Sequence, residues 1–246
     1  MSYQVLARKW RPKNFEEVIG QSHITRSLQN AILKKKIGHA YMFVGTRGVG
    51  KTSVARIFAK AIRCENKLSS GNACNECRAC LDFDTDTSMN VIEIDGASNN
   101  SVDNIRDLIS NVHYLPTNGN FKVYIIDEVH MLSTSAFNAL LKTLEEPPAH
   151  VVFIFATTEA QKLLGTVLSR CQRFDFRNVK IGELVQHINY ISKAEGIQFE
   201  NMQLVRELAI LGNGSVRDCL SLLDQVLTFS ENNIVKESVF GIKCDI

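Results

Sequence analysis

The amino-acid sequence predicts an α/β domain, a parallel sheet flanked by helices, followed by a small all-helical domain. Strand-like and helix-like segments alternate up to about residue 178, which is the pattern of successive strand–helix units. The strand-like segments are apolar at nearly every position, as strands are when helices cover both faces of a parallel sheet. Beyond residue 178 the periodic segments are helical, so we place the two domains at residues 1–178 and 179–246.

The expected elements follow one another at the spacing of such a fold. Strands are expected at residues 40–45, 90–95, 122–127, 151–158 and 172–176. Helices are expected at residues 15–36, 51–63, 101–112, 133–146 and 161–170 and, in the second domain, at 179–196, 201–214, 215–229 and 234–241, with no strand among them. Ser133 is a suitable N-cap, and Pro147 and Pro148 stop the helix that it begins.

Composition and charge limit the class of protein. The chain has 246 residues, 45% of them apolar, which is enough for a full core, and its longest apolar run, residues 151–156, is too short to cross a bilayer. The first residues lack the apolar stretch of a secretory signal, so we expect a soluble cytoplasmic protein with no membrane partner. Residues 1–63 carry 13 Lys and Arg against two acids, whereas the remainder carries 15 against 24. The basic first quarter favours phosphate partners, nucleotide or nucleic acid, although a solvated basic surface has the same composition.

Residues 45–52, here called the phosphate loop, match the pattern G-x-x-x-x-G-K-[ST] between an expected strand and an expected helix. Its glycines let backbone N–H groups converge on phosphate oxygens, and the helix N-terminus adds the positive end of its dipole. Lys51 would reach the β- and γ-phosphates, and the hydroxyl of Thr52 would ligate Mg²⁺. The candidate nucleotide-binding residues of this segment are Gly45, Thr46, Arg47, Gly48, Val49, Gly50, Lys51, Thr52 and Ser53.

A pair of acids ends the strand expected at residues 122–127. Asp127 can hold Mg²⁺ through water, and Glu128 can polarise an attacking water molecule. The carboxyl end of a parallel strand is where α/β proteins bind ligands, although ordinary surface acids are also common there. Thr157 and Thr158 end another expected strand at the same edge, where a hydroxyl could contact the γ-phosphate, orient water or only cap a turn.

Two arginines stand at helix ends. Arg170 follows a helical stretch, where a cation is also favourable simply as a partner of the helix dipole. Arg217 lies in the first turn of a helix that Ser215 would cap, with Asp218 at the third helical position. Because a cation opposes the dipole there, we expect an anionic neighbour, which is either Asp218 or a nucleotide phosphate.

Four of the seven cysteines fall within residues 64–80, with the spacing Cys64-x9-Cys74-x2-Cys77-x2-Cys80. Four thiolates can close a tetrahedral Zn²⁺ site, and the C-x-x-C spacing lets a tight turn place two sulfurs on one ion. An iron–sulfur cluster uses the same ligands, whereas disulfides are disfavoured in the cytoplasm and a redox pair needs only two cysteines. We expect a structural zinc module, inserted between the phosphate-loop helix and the next strand and too short to fold without metal.

These segments occur in an order and spacing that closely resemble the AAA+ module of bacterial clamp loaders. The matching segments are GTRGVGKTS, IIDEVHMLS, FNALLKTLEEPP, FATTEAQKL, LSRC and GSVRD, together with the opening VLARKWRPKNFEEVIGQ. The resemblance is most specific to the gamma/tau subunits of DNA polymerase III, and it extends from about Tyr3 to about Leu227. It implies an AAA+ P-loop NTPase with an inserted zinc module and a helical lid, which uses ATP, Mg²⁺ and Zn²⁺.

The resemblance also implies roles for single residues. Arg170 matches an arginine finger that completes the ATP site of a neighbouring subunit, while Thr158 and Arg217 match the first and second nucleotide sensors. The adenine pocket would be lined by Arg11, Pro12, Ile19 and Gln21. The candidate catalytic residues are therefore Lys51, Glu128, Thr158, Arg170 and Arg217, and the metal ligands are Thr52 and Asp127 for Mg²⁺ and Cys64, Cys74, Cys77 and Cys80 for zinc.

The family implies partners as well. In it, ATP binding by several subunits opens a ring-shaped sliding clamp and grips primer–template DNA, and DNA-stimulated hydrolysis then releases the closed clamp. The implied partners are further gamma/tau copies, delta, delta-prime, the beta sliding clamp and primer–template DNA held without sequence readout, at replication forks on the nucleoid. Residues 98–101, which open an expected helix, are a candidate DNA phosphate contact or a plain N-cap. The family's oligomerising collar would follow the lid, so we expect an ATPase-plus-lid portion with weak self-association and weak, poorly DNA-stimulated ATPase activity.

Three other interpretations stay open. A non-hydrolysing relative, like the delta-prime stator, can carry the same SRC arginine and a cysteine module, but it has no need of Lys51, Thr52 and Glu128 together. A zinc module that binds nucleic acid, with an incidental nucleotide fold, would keep its DNA binding after Lys51→Ala. An unrelated AAA+ motor, such as a branch-migration helicase, does not require the embedded cysteines.

Overall fold

A five-stranded parallel sheet forms the centre of the first domain. The computed structural model of the chain describes residues 4–85, 88–230 and 233–234. The strands are β1 (Ala40–Val44), β2 (Val91–Asp95), β3 (Lys122–Asp127), β4 (Val151–Thr157) and β5 (Gln172–Asp175), in the spatial order β2-β3-β4-β1-β5. All four neighbouring pairs are parallel, so the five predicted strands are confirmed to within one residue at each end. Within the described ranges, no helix is both long and apolar enough to span a membrane.

Before residue 178, the described part of the chain contains seven α-helices. They are α1 (Leu6–Lys9), α2 (Ser22–Leu33), α3 (Lys51–Arg63), α4 (Arg78–Asp84), α5 (Val102–Ser110), α6 (Thr134–Glu145) and α7 (Gly165–Leu168). Helices α3, α5 and α6 confirm their predictions, and Ser133 caps α6 by accepting a hydrogen bond from Ala136 N–H at 3.2 Å. The short helices α1 and α4 have too few turns to produce a periodic pattern, so the sequence did not predict them.

Two helices are shorter in the structure than the sequence predicts. Residues 15–21 of the segment predicted at 15–36 are not helical, and Gly20 has a φ of 72°, in the left-handed region where a helix cannot continue. The segment predicted at 161–170 forms a 3₁₀ turn at Ala160–Lys162 and the single turn α7. In both cases buried apolar residues at helical spacing are held by tertiary packing rather than by a continuous helix.

The two faces of the sheet build two separate cores. Alternate side chains of β1 point to opposite faces, so Tyr41 and Phe43 pack with α2 and α3, whereas Ala40 and Met42 pack with α5 and α6. β4 is buried along its whole length. The continuously apolar strands predicted from the sequence therefore do lie between two helical layers, and the polar residues that end them collect at one edge.

The helical domain, residues 179–234 in the described part of the chain, follows the sheet. It contains α8 (Ile181–Glu195), α9 (Met202–Leu211) and α10 (Val216–Ser230), and α8 ends at Gly196 with a left-handed φ of 70°. One detail of the prediction is wrong, because β6 (Gln198–Phe199) pairs in parallel with β7 (Asn233–Ile234). Strands of two residues are too short to produce an alternating pattern in the sequence, and these two form only because distant segments of the chain lie side by side. Of the helix predicted at 234–241, Ile234 lies in β7 and the rest is outside the described residues.

The N-terminal segment packs with the helical domain rather than with the sheet. Leu6 is 5% exposed within the core of that domain, and its backbone N–H donates to Asp224 Oδ2 at 2.8 Å. The indole N–H of Trp10 donates to Glu195 Oε1 at 2.8 Å. The division of the chain at residue 178 remains a prediction, but in space the first helix joins the core of the second domain. The sequence cannot show such a contact, because more than 180 residues separate the partners.

Candidate functional site

The phosphate loop connects β1 to α3 at the carboxyl edge of the sheet. Gly50 of the pattern and Gly48, at one of its variable positions, have φ values of 101° and 76°, which side-chain-bearing residues rarely adopt, so the backbone favours glycine at both positions. A Cβ at Gly48 would overlap the hydroxyl of Ser215, and Gly48 O accepts a hydrogen bond from Val216 N–H at 3.1 Å. The N-terminus of α10 therefore rests directly on the loop, a contact between the two domains that requires a glycine.

Lys51 begins α3 and is held at the centre of the loop. Its ammonium group donates to the carbonyl oxygens of Gly45 and Thr46, each at 2.9 Å, and the residue is only 5% exposed. Burial lowers the pKa of Lys51, and the nearby carboxylates of Glu128 and Asp127 partly oppose that shift. A buried, hydrogen-bonded cation among backbone N–H groups is suited to an anionic phosphate group.

The two predicted Mg²⁺ ligands lie against each other. Thr52, at the start of α3, donates its hydroxyl to Asp127 Oδ2 at 2.6 Å, and Asp127 Oδ1 accepts the backbone N–H of Glu128 at 2.9 Å. The contact joins the end of β3 to the beginning of α3, 75 residues apart in the chain. A hydroxyl and a carboxylate at this separation are the oxygen donors that Mg²⁺ takes beside phosphates.

Glu128 adopts a left-handed backbone conformation with φ 44° and ψ 46°, which is strained for a residue with a side chain. Its Oε2 accepts the backbone N–H of Thr158 at 3.3 Å and the Thr158 hydroxyl at 3.1 Å. The strained turn brings the carboxylate from β3 to the end of β4. Thr158 therefore contacts the predicted water-polarising residue.

A cleft of about 740 Å³ runs from these residues to the N-terminal segment. Its polar end is lined by Arg47, Gly48, Val49, Gly50, Lys51, Thr52, Ser53, Asp127, Glu128 and Arg217. The lining also includes apolar side chains such as Val5, Val18 and Leu220, and three of the four residues predicted for the adenine pocket, namely Arg11, Pro12 and Ile19. A cleft with both phosphate-loop residues and apolar side chains is suited to a nucleotide, which has a charged phosphate tail and a planar base.

Gln21 has a different place from the one expected. It is fully buried, donates its side-chain amide to Arg177 O at 2.6 Å and accepts Arg177 N–H at 3.1 Å. Those two bonds tie the start of α2 to the linker before the helical domain, because a buried amide must have both of its hydrogen-bonding groups satisfied. Gln21 thus supports the pocket without lining it.

Arg217 enters the cleft from α10. The predicted cap is present, because Ser215 Oγ accepts Asp218 N–H at 3.1 Å. Among the described residues no ion pair joins Arg217 to Asp218. The Asp218 carboxylate is therefore not the anionic partner of Arg217 in this structure. The guanidinium lines the same cleft as the phosphate loop.

Arg170 lies away from the cleft of its own chain. It donates to Thr166 O at 2.6 Å and to Glu145 Oε1 at 2.6 Å, and its side chain is partly exposed on the surface. Residues 98–101 also lie outside the cleft lining, and Ser101 Oγ caps α5 by accepting Asn104 N–H at 3.2 Å. The N-cap alternative for this segment is confirmed, and its contact with DNA remains a prediction.

The four clustered cysteines come together around one point. Their sulfur atoms all lie within 4.8 Å of one another, and Cys77 Sγ is 4.0 Å from Cys64 Sγ. Four thiolates bound at ~2.3 Å to a tetrahedral ion lie ~3.8 Å apart, so the donor set fits such a metal. Cys64 ends α3 and Cys77 precedes α4, so the cluster ties the far end of the phosphate-loop helix to the inserted segment.

Backbone N–H groups prepare the cysteine cluster for a cation. Burial raises the pKa of the Cys74 thiol, but hydrogen bonds from the N–H groups of Glu76 and Cys77, together with those from the side chains of Cys64 and Cys77, outweigh burial and lower this pKa to about 6. The thiolate is the form that binds metal. Cys64, Cys77 and Cys80 are buried, as the ligands of a closed structural site are.

Several residues of the cleft were not predicted from the sequence. Val5, Trp10, His187 and Leu220 line it, and they come from the N-terminal segment and the helical domain. Val5 and Trp10 belong to the quoted opening segment but were given no role, whereas His187 and Leu220 lie in no quoted segment. Val5, Trp10 and Leu220 meet because α1 docks on α10. His130 likewise belongs to a quoted segment, IIDEVHMLS, and was given no role, although its ring lies 3.4 Å from Glu128 Oε2.

The chain is similar to two family models and to several curated proteins. A model described as "DNA polymerase III, delta subunit" matches residues 20–180, and one described as "DNA polymerase III clamp loader subunit, ATPase lid domain" matches residues 183–232. DNA polymerase III subunit tau of Bacillus subtilis is 55% identical over 230 residues, which are 94% of this chain and 40% of that protein. The tau subunit of Escherichia coli is 47% identical over 239 residues, 97% of this chain and 37% of that protein. The chain therefore spans less than half the length of these tau relatives.

Solved structures support the fold. The RuvB Holliday junction branch migration motor of Thermotoga maritima matches with a TM-score of 0.69 at 19% identity, covering 94% of this chain and 71% of that one. At this identity the likeness concerns the fold alone. Together with the lid match it confirms the predicted AAA+ P-loop domain followed by a helical lid.

Proposed function

The chain belongs to the family of DNA polymerase III clamp-loader subunits, and from this premise we propose that it is an ATP-hydrolysing motor subunit of a clamp loader. The observation that carries the proposal is the contact of Thr52 Oγ1 with Asp127 Oδ2 at 2.6 Å, beside Glu128 and below the phosphate loop. These residues bring the oxygen ligands of a metal and a candidate general base to one point. A subunit that only supports its neighbours has no need of that set.

We assign the groups of the cleft as follows. The backbone N–H groups of the phosphate loop and the ammonium group of Lys51 bind the phosphates of ATP, and Arg217 contacts them from the helical domain. Thr52 and Asp127 hold Mg²⁺, which neutralises charge on the phosphates. Glu128 accepts a proton from the attacking water, while Thr158 holds its carboxylate. Arg11, Pro12 and Ile19 surround the adenine.

We propose that the arginine finger acts on a neighbouring subunit. Arg170 lies outside the cleft of its own chain, on an exposed surface that a second subunit can reach. The neighbours are further gamma/tau-like copies and delta- and delta-prime-like subunits. Together they load a beta-type sliding clamp on primer–template DNA during chromosome replication, in the cytoplasm at the nucleoid. DNA is held through its backbone without sequence readout.

The cysteine cluster is proposed to hold structural Zn²⁺. The donor set is four thiolates within 4.8 Å, all supplied by residues 64–80. Four protein ligands leave no open coordination position, so the ion stabilises the inserted segment and the end of α3 and takes no part in hydrolysis. A metal analysis of protein purified without chelator tests this assignment, and a zinc content far below one per chain contradicts it.

A non-hydrolysing stator-like subunit is the alternative, and the match of residues 20–180 to a model described as a delta subunit favours it. The two functions differ in what Glu128 does. In a motor subunit, Glu128→Gln keeps ATP binding and loses hydrolysis, whereas a stator has no hydrolysis to lose. A zinc nucleic-acid module is separated from both by Lys51→Ala, which would leave its DNA binding unchanged.

ATPase assays with defined mixtures test the motor function. Turnover is measured for the chain alone and with partner subunits, sliding clamp and primed DNA, for wild type and for Arg170→Ala. We expect weak turnover by the chain alone and stimulation by partners that Arg170→Ala removes while ATP binding remains. Strong turnover by the chain alone, independent of its concentration, would contradict the role of Arg170 in a neighbouring site.

A further inference from the structure

His130 is a buried histidine beside the proposed general base. It lies in the 3₁₀ turn Val129–Met131 that follows Glu128, and its side chain is 6% exposed. Nδ1 is 3.0 Å from Thr157 Oγ1 and 3.4 Å from Glu128 Oε2. The opposite ring nitrogen, Nε2, is 3.4 Å from Glu159 Oε1. The imidazole thus lies between two carboxylates, with Glu128 on one side and Glu159 on the other.

The contacts of Glu128 converge on one of its two oxygens. Oε2 accepts the backbone N–H and the hydroxyl of Thr158, and the Nδ1 edge of His130 faces the same oxygen. Glu128 also lines the cleft. The carboxylate is therefore held at Oε2 by β4 and the histidine, and this arrangement leaves Oε1 to act on water.

Glu159 anchors the other edge of the ring. Its backbone N–H donates to Thr157 Oγ1 at 3.0 Å, and the ammonium group of Lys162 donates to its carboxylate at 2.9 Å. The hydrogen bond from Lys162 lowers the pKa of Glu159, so its side chain is a carboxylate at neutral pH. A fixed anion at Nε2 orients a histidine ring, as outer carboxylates orient the histidines of other active sites.

We propose that His130 is a positioning residue for hydrolysis: its Nδ1 is fixed by Thr157 Oγ1, which places the same ring edge against Glu128 Oε2, while Glu159 lies beside Nε2. The inference rests on the proposed function, because it assigns to Glu128 the role of general base. Glu128 has three side-chain torsions, and both contacts with Thr158 end on Oε2, so they restrain Oε1 less than they restrain Oε2. General-base catalysis requires the acceptor within hydrogen-bond reach of the water, so a loose carboxylate lowers kcat without weakening ATP binding.

A purely structural role makes a different prediction. If the histidine only fills space, side chains of similar size should all have the same effect on kcat, and its replacement should lower the melting temperature. A positioning histidine can be replaced in part by an amide nitrogen at one ring position. Asparagine can place its amide where Nδ1 lies, beside Glu128, whereas glutamine reaches the position of Nε2, beside Glu159.

Four variants of the full chain separate these roles, each measured in the assembly with partner subunits, clamp and primed DNA. His130→Leu, His130→Asn and His130→Gln are compared with His150→Leu as the matched control. His150 lies just before β4, at the other end of the strand, and its Nε2 is 3.1 Å from Val112 O, so its loss removes one partly buried histidine contact away from the cleft. For each variant the assay measures kcat at saturating Mg·ATP, the Kd of a fluorescent ATP analogue and the melting temperature.

We expect His130→Leu to lower kcat about ten- to a hundredfold, which is less than the complete loss of a general base would cost, and to change the ATP Kd less than about threefold. His130→Asn should recover more of kcat than His130→Gln, and His150→Leu should keep wild-type kcat. Wild-type kcat in His130→Leu, or equal losses in the leucine, asparagine and glutamine variants, would overturn the inference. Failure of the wild-type assembly to hydrolyse ATP would instead remove the proposed function, and this inference with it.

Discussion

Replacing Leu6 by alanine tests whether the helical domain holds the N-terminal segment in place as a wall of the cleft. Leu6 is 5% exposed in the core of the helical domain, whereas Arg11 and Pro12, a few residues later, line the cleft. Truncating a buried leucine to alanine lowers the free energy of unfolding by about 2–5 kcal/mol, and by the smaller values where neighbouring side chains can move into the space. Because α1 is a single turn at the edge of that core, we expect a loss of about 2–3 kcal/mol, taken mainly from docking of the segment.

A loss of that size shifts the docking equilibrium about 30- to 150-fold. The apparent Kd for ATP equals the intrinsic Kd divided by the docked fraction, so affinity falls by up to this factor. Titration with a fluorescent ATP analogue measures the change, and urea unfolding measures the accompanying stability. Leu33→Ala is the control, because Leu33 is 49% exposed at the end of α2 and its truncation should cost less than about 0.5 kcal/mol. An unchanged ATP Kd together with an unchanged urea midpoint in Leu6→Ala would show that the helical domain does not hold the N-terminal segment in place.

Three further outcomes are expected. Lys51→Met removes the ATP-dependent rise in melting temperature but does not destabilise the nucleotide-free chain. Burial lowers the pKa of Lys51 below 10.5, so the charged amine lowers the free energy of unfolding at neutral pH, and this cost disappears as the pH rises to 10.5. If the variant unfolds at a lower urea concentration than wild type at pH 7, burial of the charged amine is not destabilising. Tyr124→Phe raises the free energy of unfolding by up to about 1 kcal/mol and leaves ATPase activity unchanged, because the buried hydroxyl has no hydrogen-bond partner within the described residues. If the variant is less stable in urea than wild type, the hydroxyl does form a hydrogen bond. Removal of the metal by a strong chelator lowers the melting temperature by about 5–10 °C, and added Zn²⁺ but not Mg²⁺ restores it. Scanning fluorimetry checks this, and a chelator-insensitive melting temperature counts against a structural metal in the cysteine cluster.

Local chemistry explains which parts of the site could be predicted. Gly48 and Gly50 occur where the backbone has positive φ. Thr52 lies in the first turn of α3 and Asp127 ends β3, so in a parallel sheet both residues lie at the carboxyl edge. Since parallel strands all point the same way, residues at their carboxyl ends must meet at one edge. The spacing of the four cysteines likewise sets how their thiols can converge, and the structure places them around one point.

Other predictions failed for equally specific reasons. Gln21 belongs to a segment that resembles an adenine pocket, but both of its amide groups are used to bond Arg177, and only the tertiary fold brings that partner within reach. The helix predicted at 15–36 begins seven residues later, at Ser22, because Gly20 takes a left-handed φ to pack against Val179. In each case a contact distant in sequence outweighed the local pattern.

Periodicity, glycine placement and ligand spacing act over a few residues, so the amino-acid sequence alone predicts the five sheet strands, the longer helices, the phosphate loop, the acid pair and the cysteine cluster. Which elements share a core, and which residues complete the cleft, depends on how the folded chain packs. The tertiary structure placed Leu6 in the helical domain, set α10 on Gly48 and enclosed His130 between Glu128 and Glu159. Those contacts depend on the packing of surfaces far apart in the chain, and packing leaves no repeating pattern in the amino-acid sequence.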